Sequence, residues 1–359
     1  MSQTIFFLVP YPYGEAPSQR FRFEQYIPYL KEQGCVIEIH PFYNLKTWKT
    51  LYSEGNVGRK IWGLLTSFLR RFVLLFRLRS ATHIFIHREA AHVGPPVFEW
   101  IIAKVLRKKY TFDFDDAIWL PNYSETNARF HRIKAYWKVN YCMKWAHGIT
   151  AGNEYLASYA QQFNTNVQII PTTIDTDNHH TIRSNHHNSK VVIGWTGTHT
   201  TMRYVDELIP TLQDLEQTFD FTFLIISNEK PSYDLKSLKF IRWNKETEIE
   251  DLAKMHIGVM PLHHDIWSEG KCGFKGLQYM ALEIATIVSP VGVNTEIIYD
   301  GQNGYLAGSP EEWKEKLIHL LEDRDLRIRL GQEGRKTIEE RYSVNATKEK
   351  YFRLFSTIP

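Results

Sequence analysis

Apolar residues along this chain come in short runs separated by amphipathic stretches, the rhythm of buried strands alternating with helices. Ile5 to Val9, Val36 to His40, His83 to His87, Tyr110 to Phe114, Gly148 to Ala151 and Val167 to Ile170 read as strands. Between them FRFEQYIPYLKEQG, closing on Gly34, Pro96 to Arg107, His131 to Ala146 and Glu154 to Gln162 read as helices. Such alternation predicts a doubly wound parallel sheet. The polar stretch Asp175 to Lys190 breaks the rhythm and reads as an interdomain linker. Its histidines, His179, His180, His186 and His187, are read as solvated linker side chains or adventitious metal ligands. At Val191 the pattern restarts, so the expected organisation is an N-terminal domain over 1–175, a linker over 176–190, a C-terminal domain over 191–342 and a last helix, within 343–359, that returns to the first domain.

One helical stretch departs from the rest. In Arg59 to Arg79 the residues Ile61, Leu64, Leu65, Phe68, Phe72, Leu75 and Phe76 fall on one stripe, with Arg59, Arg70 and Arg77 nearly opposite and no acid in the segment. Central Arg70 and Arg71 argue against a membrane span, which needs about 20 predominantly apolar residues. Two readings remain: a helix packed on the sheet with solvated arginines, or peripheral contact with an anionic membrane surface.

Composition adds compartment and charge. At 359 residues the chain is long for one core, and 43% hydrophobic with 23% charged residues is ordinary for a globular protein. Cys35, Cys142 and Cys272 lie far apart, so no disulfide framework or zinc spacing follows and a cytoplasmic setting is expected. MSQTIFFLVP lacks a basic leader region and reads as a first strand. Residues 1–150 hold 21 Lys and Arg against 11 Asp and Glu, a balance of +10, which leaves −7 for the remainder of a chain whose total is +3. Concentrated positive charge suggests an anionic partner. Nucleic acid is not expected, since no helix-turn-helix, zinc or RNA-binding signature accompanies it.

The chemistry concentrates in PLHHDIWSEGKCGFKGLQYMALEIATIVSPVGVN, Pro261 to Asn294. A strand (Ile257 to Leu262) enters a loop with Gly270, Lys271, Gly273 and Lys275, a helix follows (Leu277 to Glu283), then another strand (Ala285 to Pro290) and a turn at Gly292 and Asn294. Backbone N–H groups at a helix N-terminus, with two lysines beside them, suit a diphosphate at the carboxyl edge of a parallel sheet. With Gly197 after VVIGW, Arg203 six residues on, EIIYDGQNGYL (Glu296 to Leu306) and RIRLGQEGRKTIEERYS (Arg327 to Ser343), the C-terminal half resembles the retaining GT-B-fold glycosyltransferases of family 4, the glycosyl transferases group 1, over about Val191 to Tyr342.

The resemblance implies an α/β fold of two Rossmann-like domains facing a cleft. It also implies a UDP- or GDP-sugar donor in the second domain, and transfer with retention that needs no metal or other cofactor. The family's E-x7-E pair is altered: Gln278 stands at the second glutamate, Gly270 at the first, and Glu269 is one residue displaced. Thr198 stands where the family often has a phosphate-binding Arg, and Arg203 where it usually has Lys. On this reading Glu269, Lys271 and Lys275 serve the chemistry, and Gly197, Thr198, Arg203, Gln278, Gly292, Asn294 and Glu296 hold the donor. Trp243 stacks near the base or belongs to the core.

In the first half, Asp113, Asp115 and Asp116 of TFDFDDAIW offer a superficial Asp-x-Asp metal motif, which is discounted because Lys and Arg already face the diphosphate. Asp115 and Asp116 are read instead as ligands of acceptor hydroxyls or as helix caps. His87, a further catalytic candidate, with Arg88 and Glu89 of IHRE, lies at another strand end; Gly14 and Arg20 belong to the first loop. All are candidates for acceptor recognition, with structural roles as the alternative. The expected function is transfer to a glycan or lipid-linked acceptor by a protein peripheral to the inner face of the membrane. A GT-B-fold sugar-nucleotide epimerase and a non-catalytic nucleotide-sugar-binding subunit are the alternatives.

Overall fold

The computed structural model describes residues 3–51, 55–121, 131–186 and 190–356. It divides into two compact units, one formed by Met1–Thr172 with Lys348–Pro359 and the other by Thr173–Thr347. Each unit is a parallel six-stranded sheet flanked by helices, and the two together give the GT-B architecture.

The first sheet contains β1 (Thr4–Val9), β2 (Val36–Pro41), β3 (His83–His87), β4 (Tyr110–Phe114), β5 (Gly148–Ala151) and β6 (Val167–Ile169) in the order β2-β1-β3-β4-β5-β6. Its central strands β3 and β4 are buried throughout, as both faces of a parallel sheet carry helices, whereas edge strands β2 and β6 are only partly covered. The chain goes from β1 outward to β2, then returns to the other side for β3. The strand order therefore reverses between β1 and β3, and loops leave both carboxyl ends there.

The second sheet repeats the plan with β7 (Val191–Gly197), β8 (Phe221–Ser227), β9 (Leu238–Arg242), β10 (Ile257–Met260), β11 (Ala285–Val288) and β12 (Tyr305–Leu306), ordered β12-β11-β10-β7-β8-β9. Here the reversal lies between β7 and β10. Gly194 and Gly258, register partners on those strands, make room for side chains packed over them. A Cβ at Gly194 would lie 2.3 Å from Met255, and one at Gly258 would lie 2.5 Å from the Tyr279 ring.

Several expectations change. The helix expected from Phe21 to Gly34 is a short 3₁₀ turn, Glu24–Tyr26, followed by the helix Ile27–Glu32 with Pro28 in its first turn. The helix expected over His131 to Ala146 is broken at Ala135, which has φ of 52°, into His131–Lys134 and Lys138–Trp145. Asp175 to Lys190, expected as a linker, is taken up by the second unit: Thr176 and His180 are buried, Arg335 donates to the His180 carbonyl at 2.8 Å, and His186 accepts burial beside His256 with Nε2 3.2 Å from the Glu283 carbonyl. His187 lies outside the described residues. The helix Val344–Ser356 leaves the second unit at Thr347, and in the first unit Tyr351 stacks on Tyr26 with ring centroids 4.1 Å apart.

Candidate functional site

In the second unit, two loops leave the reversal point. From β7 the chain passes Gly197 and Thr198 into the short helix His199–Met202, which ends at Arg203. From β10 it passes a one-turn helix, Ile266–Glu269, capped by Asp265, and then Gly273 opens the helix Phe274–Ala281. Gly273 has φ of +67°, so the turn into this helix is open to glycine and costly for other residues. The helix thus begins three residues earlier than the sequence suggests, and Lys275 sits in its first turn.

Lys275 is the distinctive group. Its half-buried side chain runs over the face of the fully buried Trp195, with Nζ 4.5 Å from the ring centroid. Burial, with a smaller contribution from neighbouring Lys271, lowers its pKa from the ordinary 10.5 to about 7. Among the described residues no carboxylate pairs with it. Lys271 lies over Trp267, with Nζ 4.8 Å from that ring. The two ammonium groups and the N–H groups of the first turn of Phe274–Ala281 make this edge attractive to an anion.

Arg203 is exposed and leans on Tyr204, whose hydroxyl it meets at 3.3 Å. The same hydroxyl lies 3.5 Å from the buried Ser268 Oγ, which ties the β7 loop to the β10 loop. Thr198 is exposed and bonded to Thr200 at 2.8 Å. Gly197 is needed for space, because a Cβ there would lie 2.6 Å from Trp195 and 2.8 Å from Thr201. Gly292, with φ of +53°, brings the β11 loop against Glu269, whose carbonyl oxygen would lie 2.8 Å from an added Cβ. Glu269 faces His264 at 3.1 Å.

Other expected donor ligands lie apart. Gln278 is buried, with Nε2 3.5 Å from the His180 ring, and Asn294 is buried, donating to the Ser289 carbonyl at 2.9 Å. Glu296 is exposed on the short helix Asn294–Ile297. Trp243 follows the edge strand β9, two strands from β7, and its indole N–H meets Glu248 at 3.4 Å. Trp195, Tyr204, Ser268 and Tyr279 were not foreseen. Tyr279 accepts the Thr196 backbone N–H at 3.0 Å and so fixes the end of β7; the glycine on β10 opposite its ring was the available signal.

In the first unit the groups at the β1/β3 reversal point are already paired. Arg88, with φ of 59°, donates to Asp115 at 2.8 Å and to Asp116 at 2.7 Å. Burial opposes its charge, but these carboxylates hold the guanidinium pKa well above its ordinary value. A non-glycine residue in the left-handed region at a sheet edge is a strained position that the ion pairs sustain. Glu89 binds Lys138 at 2.8 Å and His92 at 2.6 Å. Burial pushes the Glu89 carboxyl up, yet Lys138 and the His92 hydrogen bond outweigh it and hold it well below the usual range. Gly14, with φ of +77°, donates its N–H to Glu24 at 2.8 Å, and the half-buried Arg20 lies over Phe21.

His87 and Asp113 turn inward. The fully buried His87 ring meets Asp113 at 2.7 Å, and Asp113 also accepts from Thr150 at 2.6 Å and pairs with buried Arg22. This network joins β3, β4 and β5 inside the unit. His87, expected to be catalytic, has no exposed atoms at the sheet edge because it closes the buried strand β3. Among the described residues no group of three or more His, Cys, Asp or Glu is placed to hold a metal ion, and no helix is long and apolar enough to cross a membrane.

Residues 190–323 match the family described as glycosyl transferases group 1. The chain is 29% identical over 153 residues to the uncharacterized glycosyltransferase MJ1178 of Methanocaldococcus jannaschii, covering 39% of this chain and 40% of that protein. It is 23% identical over 183 residues to the capsular polysaccharide biosynthesis glycosyltransferase CapM of Staphylococcus aureus, covering 47% of each. The matched stretches span between 25% and 47% of these and similar curated relatives. Among solved structures, Anabaena HepE in complex with UDP and glucose superposes with a TM-score of 0.67 at 13% identity, covering 99% of this chain and all of that one. The chain therefore combines a GT-B fold with a second unit in which residues 190–323 match the glycosyl transferases group 1 family.

Proposed function

We propose that the protein is a glycosyltransferase that takes a sugar from a UDP- or GDP-linked donor and adds it, with retention of configuration, to a glycan or lipid-linked acceptor. The observation that carries this reading is Lys275: an uncompensated ammonium at a helix N-terminus, beside Lys271, at the strand-order reversal of the unit that matches a transferase family. With Arg203, these groups stabilise charge developing on the departing diphosphate, which makes a metal unnecessary. Glu269 and Thr198 stand at the donor's sugar and phosphate side of the same edge. The first unit holds the acceptor, with Arg88, Asp115 and Asp116 orienting its hydroxyls. The relative named for capsular polysaccharide biosynthesis supports a role in cell-surface polysaccharide or glycolipid synthesis, at the cytoplasmic face of the membrane.

One observation favours a second reading. Gln278 replaces a family glutamate and faces His180 rather than the open edge; this suits a subunit that binds a nucleotide sugar without turnover. Thermal unfolding against a panel of nucleotides tests the donor site. Nucleoside diphosphates are expected to raise Tm in the wild type and not in Lys275→Met, since a ligand at one hundred times its Kd adds about 2.7 kcal/mol. Equal shifts in both proteins overturn the site, and a shift without any sugar transfer selects the second reading.

A further inference from the structure

The helix Val57–Arg77 presents its apolar side outward. Ile61, Trp62, Leu65, Leu69, Phe72 and Phe76 are all exposed, from 44% at Phe72 to 78% at Phe76. At helical spacing they form one continuous face over about four turns. The opposite side, with Gly63, Ser67, Arg71 and Leu74, is buried. Gly63 permits close contact with the helix Leu45–Leu51, because a Cβ would lie 2.6 Å from Thr47. The two central arginines divide between the sides: Arg71 is buried, donating to the carbonyls of His40 at 2.9 Å and Val9 at 3.1 Å, where it caps the carboxyl ends of β2 and β1. Arg70 is exposed beside the apolar face, and with Arg59 and Arg77, about three turns before and two turns after it, follows one edge of that face. Arg77 reaches Glu38 at 2.7 Å. On the neighbouring segment Phe98 packs against Phe72 with centroids 4.8 Å apart, while Val97 and Trp100 are exposed.

We infer that this face is a docking surface for an anionic lipid bilayer, which the helix enters lying flat. The inference deepens the proposed transfer to a membrane-linked acceptor and rests on that reading only for its biological use. A face this apolar is rarely left to water. Its arginine edge is complementary to lipid phosphates, and its Trp and Phe side chains suit the headgroup boundary. A second copy fits worse: antiparallel two-fold pairing sets the two arginine edges against each other, and the helix contains no acid to offset them.

The test is co-sedimentation of the full chain with phosphatidylglycerol–phosphatidylcholine vesicles and with phosphatidylcholine vesicles, with light scattering for the free protein. Wild type is expected to sediment with the anionic vesicles at low salt and to be released as salt rises. Leu65→Glu with Leu69→Glu alters only exposed positions and is expected to weaken partitioning roughly ten-fold or more, with its melting curve unchanged. Leu65→Ser with Leu69→Ser serves if the first variant does not fold. Lys275→Met is expected to bind vesicles as wild type does, which separates this surface from the donor site. Equal sedimentation of wild type and the leucine variants overturns the inference. So does a wild-type protein that ignores vesicles, including one whose dimer the leucine substitutions dissolve.

Discussion

Lys275 and Asp113 show how differently two charged side chains are placed in similar sheets. Lys275 holds a charge that the free protein opposes, so diphosphate binding restores a proton to it. Above pH 7 an increasing share of the free protein must first be protonated, and affinity should fall as pH rises, up to about ten-fold per unit. Calorimetry in buffers of different ionisation heat should show proton uptake in the wild type beyond that of Lys275→Met, in which the ligand's own titration is unchanged. Folding stability runs the other way. The unfolded lysine keeps its proton between about 7 and its ordinary 10.5 while the folded one loses it, so this residue makes stability rise with pH across that window. Lys275→Met should flatten that rise and melt higher at neutral pH, by on the order of 1 kcal/mol. Asp113 is the converse case, an acid whose charge is fully used. Burial opposes its ionisation, but Arg22 and His87 hold its pKa well below the carboxylate range. Asp113→Ala should cost about 3–5 kcal/mol in denaturant unfolding by removing the carboxylate that Arg22, His87 and Thr150 share inside the unit, with nucleotide affinity unchanged in the protein that remains folded.

The proposed donor edge is built at the scale of two loops and one helix. Gly273 and Gly292 let the β10 and β11 loops approach closely, one through positive φ at a helix start and the other against the Glu269 backbone. Gly292→Ala should destabilise by about 1–2 kcal/mol and raise KM for the donor more than it lowers kcat, because it displaces the loop rather than a reacting group. Most strands were legible because buried parallel strands are short apolar runs bounded by polar residues, whereas β8, β9 and β12 were not read. The loop-to-helix entry at Gly273 was legible because glycine and lysine are spaced as a helix entry requires. Helix breaks were not, since Ala135 at positive φ has no local signature and is imposed by packing. Charge patterning predicted an amphipathic helix at Arg59 to Arg79 but left both central arginines facing outward, to solvent or to a membrane surface. Only the carbonyls of β1 and β2, distant in sequence, reveal that Arg71 faces inward. For the same reason His87 and Asp113 were read as edge residues: sequence gives a strand's end, and the third dimension decides that these two close a buried network.

For the whole molecule, two doubly wound sheets each gather loops at a point where strand order reverses, and the two edges carry opposite chemistry. The second unit offers an unneutralised lysine, whereas the first offers arginine and lysine already bound to carboxylates. That contrast assigns the diphosphate to the second unit and hydroxyls to the first in the proposed reaction. Since side chains and helix N–H groups are proposed to meet the diphosphate, transfer should persist in EDTA; loss of turnover that Mn²⁺ or Mg²⁺ restores would revive the Asp-x-Asp reading of Asp113 and Asp115. The most direct test of the account is to incubate the protein with UDP- and GDP-sugars, with and without a glycan or lipid-linked acceptor, and to follow nucleoside diphosphate and sugar products together. The account predicts nucleoside diphosphate released in step with a glycosylated acceptor of retained configuration, abolished or strongly reduced in Lys275→Met. Free epimerised sugar nucleotide without transfer, or tight nucleotide binding with no turnover in any pairing, would contradict it.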